Sequence, residues 1–175
     1  MIARTASSLV PSCLFAAALL AGGSPPALAE AEPPPAPCSA PEFAQFDFWI
    51  GEWDVTWEGG GGTNRISKEY DGCVIREQFE GDGLRGTSLT TWSPGRARWL
   101  QTWVDNTGSY LEFEGGQEDD RMVLSREVPD GTDVTHQRMV FHEIAADSFT
   151  WDWEKSTDEG ESWELLWRIH YRRQL

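Results

Sequence analysis

A chain of 175 residues with 29 Asp and Glu against 14 Lys and Arg carries a net charge of -15, which excludes electrostatic binding of nucleic acid. Hydrophobic residues make up 39% and aromatics 12%, too many for a disordered acidic chain and enough for one packed domain. All 10 Trp fall from Trp49 to Trp167 and recur in short alternating runs, the spacing of strands rather than helices.

Residues 1–29 read as a secretory signal peptide. Arg4 precedes an apolar stretch from Leu14 to Ala21, and Ala27-Leu28-Ala29 forms a small-x-small cleavage site. Gly22, Gly23, Pro25 and Pro26 interrupt the stretch before it is long enough to span a bilayer. The expected address is the periplasm or the medium, with no membrane attachment after cleavage. Residues 30–42 form a Pro-rich lead-in to a domain over 43–175. Loss of the leader removes Cys13 and leaves Cys38 and Cys73 in an oxidising compartment, where one disulfide is possible.

Segment 41–49 suits a short helix that plugs one end of a sheet. From Trp53 onward, Gly, Asp, Asn and Pro clusters divide alternating runs into ten predicted strands. These are 51–58, 65–70, 74–80, 85–92, 98–105, 109–114, 121–127, 132–144, 148–155 and 163–172. The Gly-rich segment from Gly59 to Asn64 reads as a flexible hairpin tip. Trp53, Val55 and Trp57 share one strand face, as do Trp99, Gln101 and Trp103, then Phe149, Trp151 and Trp153, then Trp163, Leu165, Trp167, Ile169 and Tyr171. Ten short strands around so many rings predict a closed antiparallel up-and-down barrel, which leaves no unpaired edge. A two-sheet sandwich is the alternative.

The string Phe46-Asp47-Phe48-Trp49-Ile50-Gly51-Glu52-Trp53 contains a G-x-W element after an aromatic turn. It resembles the opening strand of lipocalins and the wider calycin superfamily, and lipocalin-like families of uncharacterised secreted bacterial proteins that begin F-D-F-W-x-G-x-W. The resemblance implies that Gly51 and Trp53 form the barrel floor and that a basic residue of the last strand caps Trp53. Arg168, Arg172 and Arg173 are the candidates, with Arg168 preferred. A cation on an indole face with its donors turned to backbone carbonyls is the physical content of that cap. Ser156, Asp158, Gly160 and Trp163 fit the S-x-D-x-G-x-x-W Asp box, a turn motif in which Ser and Asp bond the backbone, Gly takes positive φ and Trp turns inward. A single box in a chain this short is structural.

No nucleophile elbow or phosphate loop is present. His136 and His142 lie on one strand about 20 Å apart and cannot share an ion, so no metal or cofactor is expected. The pairs Glu112 with Glu114 and Asp152 with Glu154 share strand faces, as solvated carboxylates in an acidic chain commonly do. The expected function is binding of a small apolar molecule by a monomer or weak homodimer, in a cavity lined by Trp99, Gln101, Trp103, Tyr110, Trp151 and Trp153. The same rings could instead pack the barrel shut. One alternative is an enzyme for a small hydrophobic substrate using Arg76, His136, Arg138 or a strand-borne Glu. Another is a nitrobindin-like haem barrel ligated by His170, although the parity of His170 points it outward.

Overall fold

The computed structural model describes residues 36–174; the predicted leader and the first residues of the lead-in lie outside them. Two 3₁₀ turns, Pro41–Ala44 and Asp47–Trp49, precede ten strands: β1 Gly51–Trp57, β2 Gly60–Glu69, β3 Val74–Gly81, β4 Leu84–Ser93, β5 Arg98–Asp105, β6 Tyr110–Glu118, β7 Arg121–Asp130, β8 Asp133–His142, β9 Ser148–Ser156 and β10 Glu164–Arg173. Each strand pairs antiparallel with its sequence neighbours, and β1 closes on β10 with Trp53 opposite Arg173 and Val55 opposite Tyr171. The architecture is a closed up-and-down barrel, not a sandwich. Alternation decides which side of each strand faces in: on β1, Trp53 and Val55 are buried while Glu52, Asp54 and Thr56 are exposed. Among the described residues no helix is long and apolar enough to cross a membrane.

The Gly-rich segment departs from expectation. Of its glycines only Gly59 lies in the turn, beside Glu58 and at φ +81°, and Gly60 to Gly62 already belong to β2, opposite Trp57, Thr56 and Val55. Crowding explains the composition, because a Cβ on Gly62 would sit 2.1 Å from the Glu80 carbonyl oxygen and 2.6 Å from the Gly81 Cα. The glycines let strands approach closely rather than loosen a tip.

β10 departs in its face. Its register against β9 slips between Leu165 and Trp167, and a one-residue slip reverses the side to which preceding side chains point. Trp167, Ile169 and Tyr171 keep the predicted inward face, but Leu165 pairs with Glu154 and is 46% exposed. Trp163, predicted inward, lies outside with the Arg138 guanidinium 3.8 Å from its ring centroid.

The 3₁₀ segment closes one end of the barrel. Phe46 and Trp49 are buried, and Phe46 meets Trp99 and Phe141 edge to face at 4.9 and 5.5 Å. Trp53 Nε1 donates to the Trp49 carbonyl at 2.8 Å, tying the plug to β1. Cys38 and Cys73 form a disulfide that joins the lead-in to the turn between β2 and β3.

The cap on Trp53 is Arg173, not Arg168. The Arg173 guanidinium lies 4.1 Å from the Trp53 ring centroid and donates to the carbonyls of Ile50 at 2.8 Å, Phe48 at 3.2 Å and Ala146 at 3.0 Å. Parity makes the choice, since Arg173 shares the inward face with Tyr171 and Ile169. Arg168 and Arg172 share the outward face, and Arg168 is spent on Asp152 through Nε and a terminal nitrogen at 2.7 and 2.5 Å. Gly51 sits under the cap at φ +141°, where a Cβ would lie 2.2 Å from the Arg173 guanidinium.

Candidate functional site

Away from the plugged end the rings stop filling the lumen. They enclose a cavity of about 240 Å³ whose wall includes Phe79, Trp103, Phe113, Trp151, Trp153 and Trp167. These rings hold one another in place: Trp151 stacks on Trp153 at 6.2 Å, and Trp167 meets Trp151 and Trp57 edge to face at 5.8 and 5.2 Å. Trp103, Trp151, Trp153 and Trp167 are each only partly buried, in contrast to the sealed Trp49, Trp53 and Trp99.

One wall is polar. Glu77, Gln101 and Tyr171 line the same cavity, brought there by the inward parity of β3, β5 and β10. Ser88 Oγ donates to Glu77 Oε2 at 2.6 Å, and Asn64 Nδ2 donates to Glu77 Oε1 at 2.7 Å and to the Tyr171 hydroxyl at 3.0 Å. Gln101 Nε2 donates to Thr90 Oγ1 at 2.9 Å. Burial pushes the Glu77 carboxyl above its ordinary value, against the opposing pull of the Ser88 and Asn64 hydrogen bonds. Burial, then the Glu77 charge, raises the Tyr171 hydroxyl as well, so it stays neutral. Trp49 Nε1, from another cavity-lining residue, and Asn64 Oδ1 are buried without partners. Each such group costs about 1–3 kcal/mol, which a bound polar group or water would offset.

Of the residues expected to line a cavity, Gln101, Trp103, Trp151 and Trp153 do so. Trp99 does not. It is buried in the plug, with Nε1 donating to Gln45 Oε1 at 2.9 Å. Tyr110 is 62% exposed, and its hydroxyl donates to Glu112 on the outer wall. Tyr110 pairs with Val104, whose parity is opposite to Trp103, so β6 turns Leu111 and Phe113 inward instead. Sequence reasoning missed Glu77, yet Ile75-Arg76-Glu77-Gln78-Phe79 alternates in a way that sets this carboxyl between two apolar inward positions. Its signal was diluted among 29 acidic residues.

Of the residues proposed for acid–base chemistry, only a strand-borne Glu, Glu77, meets the cavity; Arg76, His136 and Arg138 do not. Arg76 faces Glu69 at 3.7 Å, Arg138 binds Glu154 at 2.6 Å, and His136 shares their outward parity on β8. Glu114 is held by Arg98 and Arg96, and Asp152 by Arg168 and His142. Burial of Asp152 would raise its carboxyl, but the Arg168 bonds and charge and the His142 contact together hold it low. His170, the ligand named for the haem alternative, is exposed on the outer wall with Nδ1 3.4 Å from Thr150 Oγ1 and does not line the cavity. Among the described residues no three His, Cys, Asp or Glu side chains cluster as a metal site.

The Asp box is a turn. Ser156 Oγ donates to Asp158 Oδ1 at 2.6 Å and accepts from the Gly160 amide at 2.9 Å, and the Ser162 hydroxyl donates to Asp158 Oδ2 at 2.6 Å. Gly160 has φ +90°. The Ser156 and Ser162 hydrogen bonds hold the Asp158 carboxyl down at about 2.

No known protein family and no characterised protein matches this sequence, so the chemistry of the cavity carries the functional argument.

Proposed function

We propose that the chain is an exported, lipocalin-like binding protein that holds one small apolar or aromatic molecule in the cavity between Glu77 and the tryptophans of β5, β9 and β10. The observation that carries this reading is the unfilled volume of about 240 Å³ inside a barrel with ample ring volume to fill it. The calycin resemblance of the G-x-W strand is supported by the Arg173 cap on Trp53, the arrangement that resemblance implies. Export is supported by the Cys38–Cys73 disulfide.

A hydrolytic or isomerising enzyme is the second reading, because a carboxyl raised by burial in an apolar cavity suits general acid–base work. The lining residues offer Glu77 no neighbour that titrates near neutrality, since Tyr171 is itself raised. Binding therefore remains the preferred function. The test is titration with the neutral fluorophore N-phenyl-1-naphthylamine, following tryptophan emission. Saturable quenching at micromolar concentration is expected, weakened in Trp153→Ala and unchanged in Tyr110→Ala. A linear, non-saturating response in the wild-type chain would reject the reading.

A further inference from the structure

The cavity is chemically lopsided. Among the described residues its wall carries one carboxyl, Glu77, and no Lys, Arg or His. Arg126, 5.6 Å from the Phe113 ring centroid, donates through Nε to Gln137 Oε1 at 2.9 Å and does not line the space. Both Glu77 oxygens are fixed by donors from β2 and β4, so the carboxyl is oriented, yet it has no counter-charge. A buried, oriented, unpaired carboxyl is an expensive arrangement in a packed barrel.

Most of the remaining wall is electron-rich rings, joined by Leu84, Leu111, Met139 and Ile169. Indole and phenyl quadrupoles attract cations most strongly where water is excluded, and a group of such rings is the usual housing of alkylammonium ligands. An anion in this space would meet the Glu77 carboxyl and the negative ring faces without a compensating donor charge. A neutral apolar ligand would leave Glu77 unused. An organic cation satisfies both walls, and the net charge of -15 draws cations toward the molecule.

We infer that the ligand is an organic cation, an amine or quaternary ammonium on an apolar or aromatic body, with Glu77 as its counter-ion and Trp103, Trp151 and Trp153 as its cage. The inference rests on the cavity-binding function proposed above and specifies the ligand class for that site. The groups that face Glu77 are Asn64 of β2, Ser88 of β4 and Tyr171 of β10; of these only Tyr171 titrates, far to the basic side. Binding of a cation thus draws the proton from Glu77 into solvent, and affinity rises with pH.

Phenyltrimethylammonium and its neutral isostere tert-butylbenzene provide the test, titrated calorimetrically into the whole chain in high salt, which screens the exposed carboxylates. The cation is expected to bind at least about tenfold more tightly than the isostere near neutral pH. Lowering the pH until Glu77 is protonated is expected to abolish that preference and leave tert-butylbenzene affinity unchanged. Glu77→Gln is expected to do the same at neutral pH. Equal affinities for the two probes in the wild-type chain would overturn the cation inference alone. A preference that survives both low pH and Glu77→Gln would also overturn it, because the selectivity would then come from elsewhere. Binding of neither probe would overturn the inference together with the cavity function.

Discussion

The two ends of the barrel are built from the same residue type and behave differently. At the plugged end Trp49, Trp53 and Trp99 are sealed, each pressed against Phe46, Phe141 or Phe149, and Trp53 is roofed by Arg173. At the other end Trp103, Trp151, Trp153 and Trp167 touch one another, or Phe79 and Phe113, and still leave space between them. A tryptophan stabilises where backbone and neighbours enclose it on all sides, and becomes a wall where none of the described residues inserts from the barrel end. The 3₁₀ plug makes that difference, since it supplies Phe46 and Trp49 to one end only.

Mutating one ring at each end puts the largest effect on this comparison. Trp53→Ala is expected to cost up to about 5 kcal/mol in denaturant unfolding, through a cavity in close-packed surroundings and an orphaned Arg173. Trp153→Ala, at a partly buried position, is expected to cost less than about 2 kcal/mol while weakening probe binding. Equal costs would remove the distinction between packed and lining rings.

Reducing the Cys38–Cys73 bond tests whether the plug depends on its staple. The bond spans 35 residues, and loop-closure entropy for that span predicts a loss of about 4 kcal/mol. Unfolding with and without reductant measures it, and the accompanying loss of protection in hydrogen exchange should begin at the plug. Smaller again is the Arg173 cap. Arg173→Ala is expected to cost about 2–3 kcal/mol for one cation–π contact and three charge-assisted hydrogen bonds, whereas exposed Arg172→Ala should stay within about 0.5 kcal/mol.

The smallest effect is a slope rather than a step. The folded chain raises the Glu77 carboxyl above its ordinary 4.5, so the folded state keeps a proton that the unfolded chain releases. Stability is therefore highest below that ordinary value and falls as pH rises through the folded-state value. Glu77→Gln is expected to flatten this slope, measured as the midpoint of urea unfolding across pH. A slope unchanged by the substitution would show that Glu77 is already charged and compensated in the folded state.

Strand number and closure were legible because period-two alternation survives in most segments, from Trp53 and Val55 to Ile169 and Tyr171. That parity puts five of the six expected cavity residues on the inner face, of which Trp99 fills the plugged end and four line the cavity. The misreadings have separate causes, and one is that parity propagates only while register holds. The slip after Leu165 turned Trp163 outward, whereas Tyr110 pairs with outward Val104 and leaves the inner face to Leu111 and Phe113. The capping arginine was misassigned as Arg168, although strict parity with Tyr171 selects Arg173.

By itself the sequence determined the ten strands, the single possible disulfide and the presence of a cap on Trp53, since each depends on local alternation, cysteine count or a short motif. Only the tertiary structure decided where the rings fill and where they line, and that Ser88 and Asn64 bind Glu77 while Asn64 also binds Tyr171. Those contacts join residues 11 to 107 positions apart. The first two follow from hairpin register, but the contact of Asn64 with Tyr171 of β10 depends on the stagger at which the barrel closes, and no local pattern in the chain encodes that stagger.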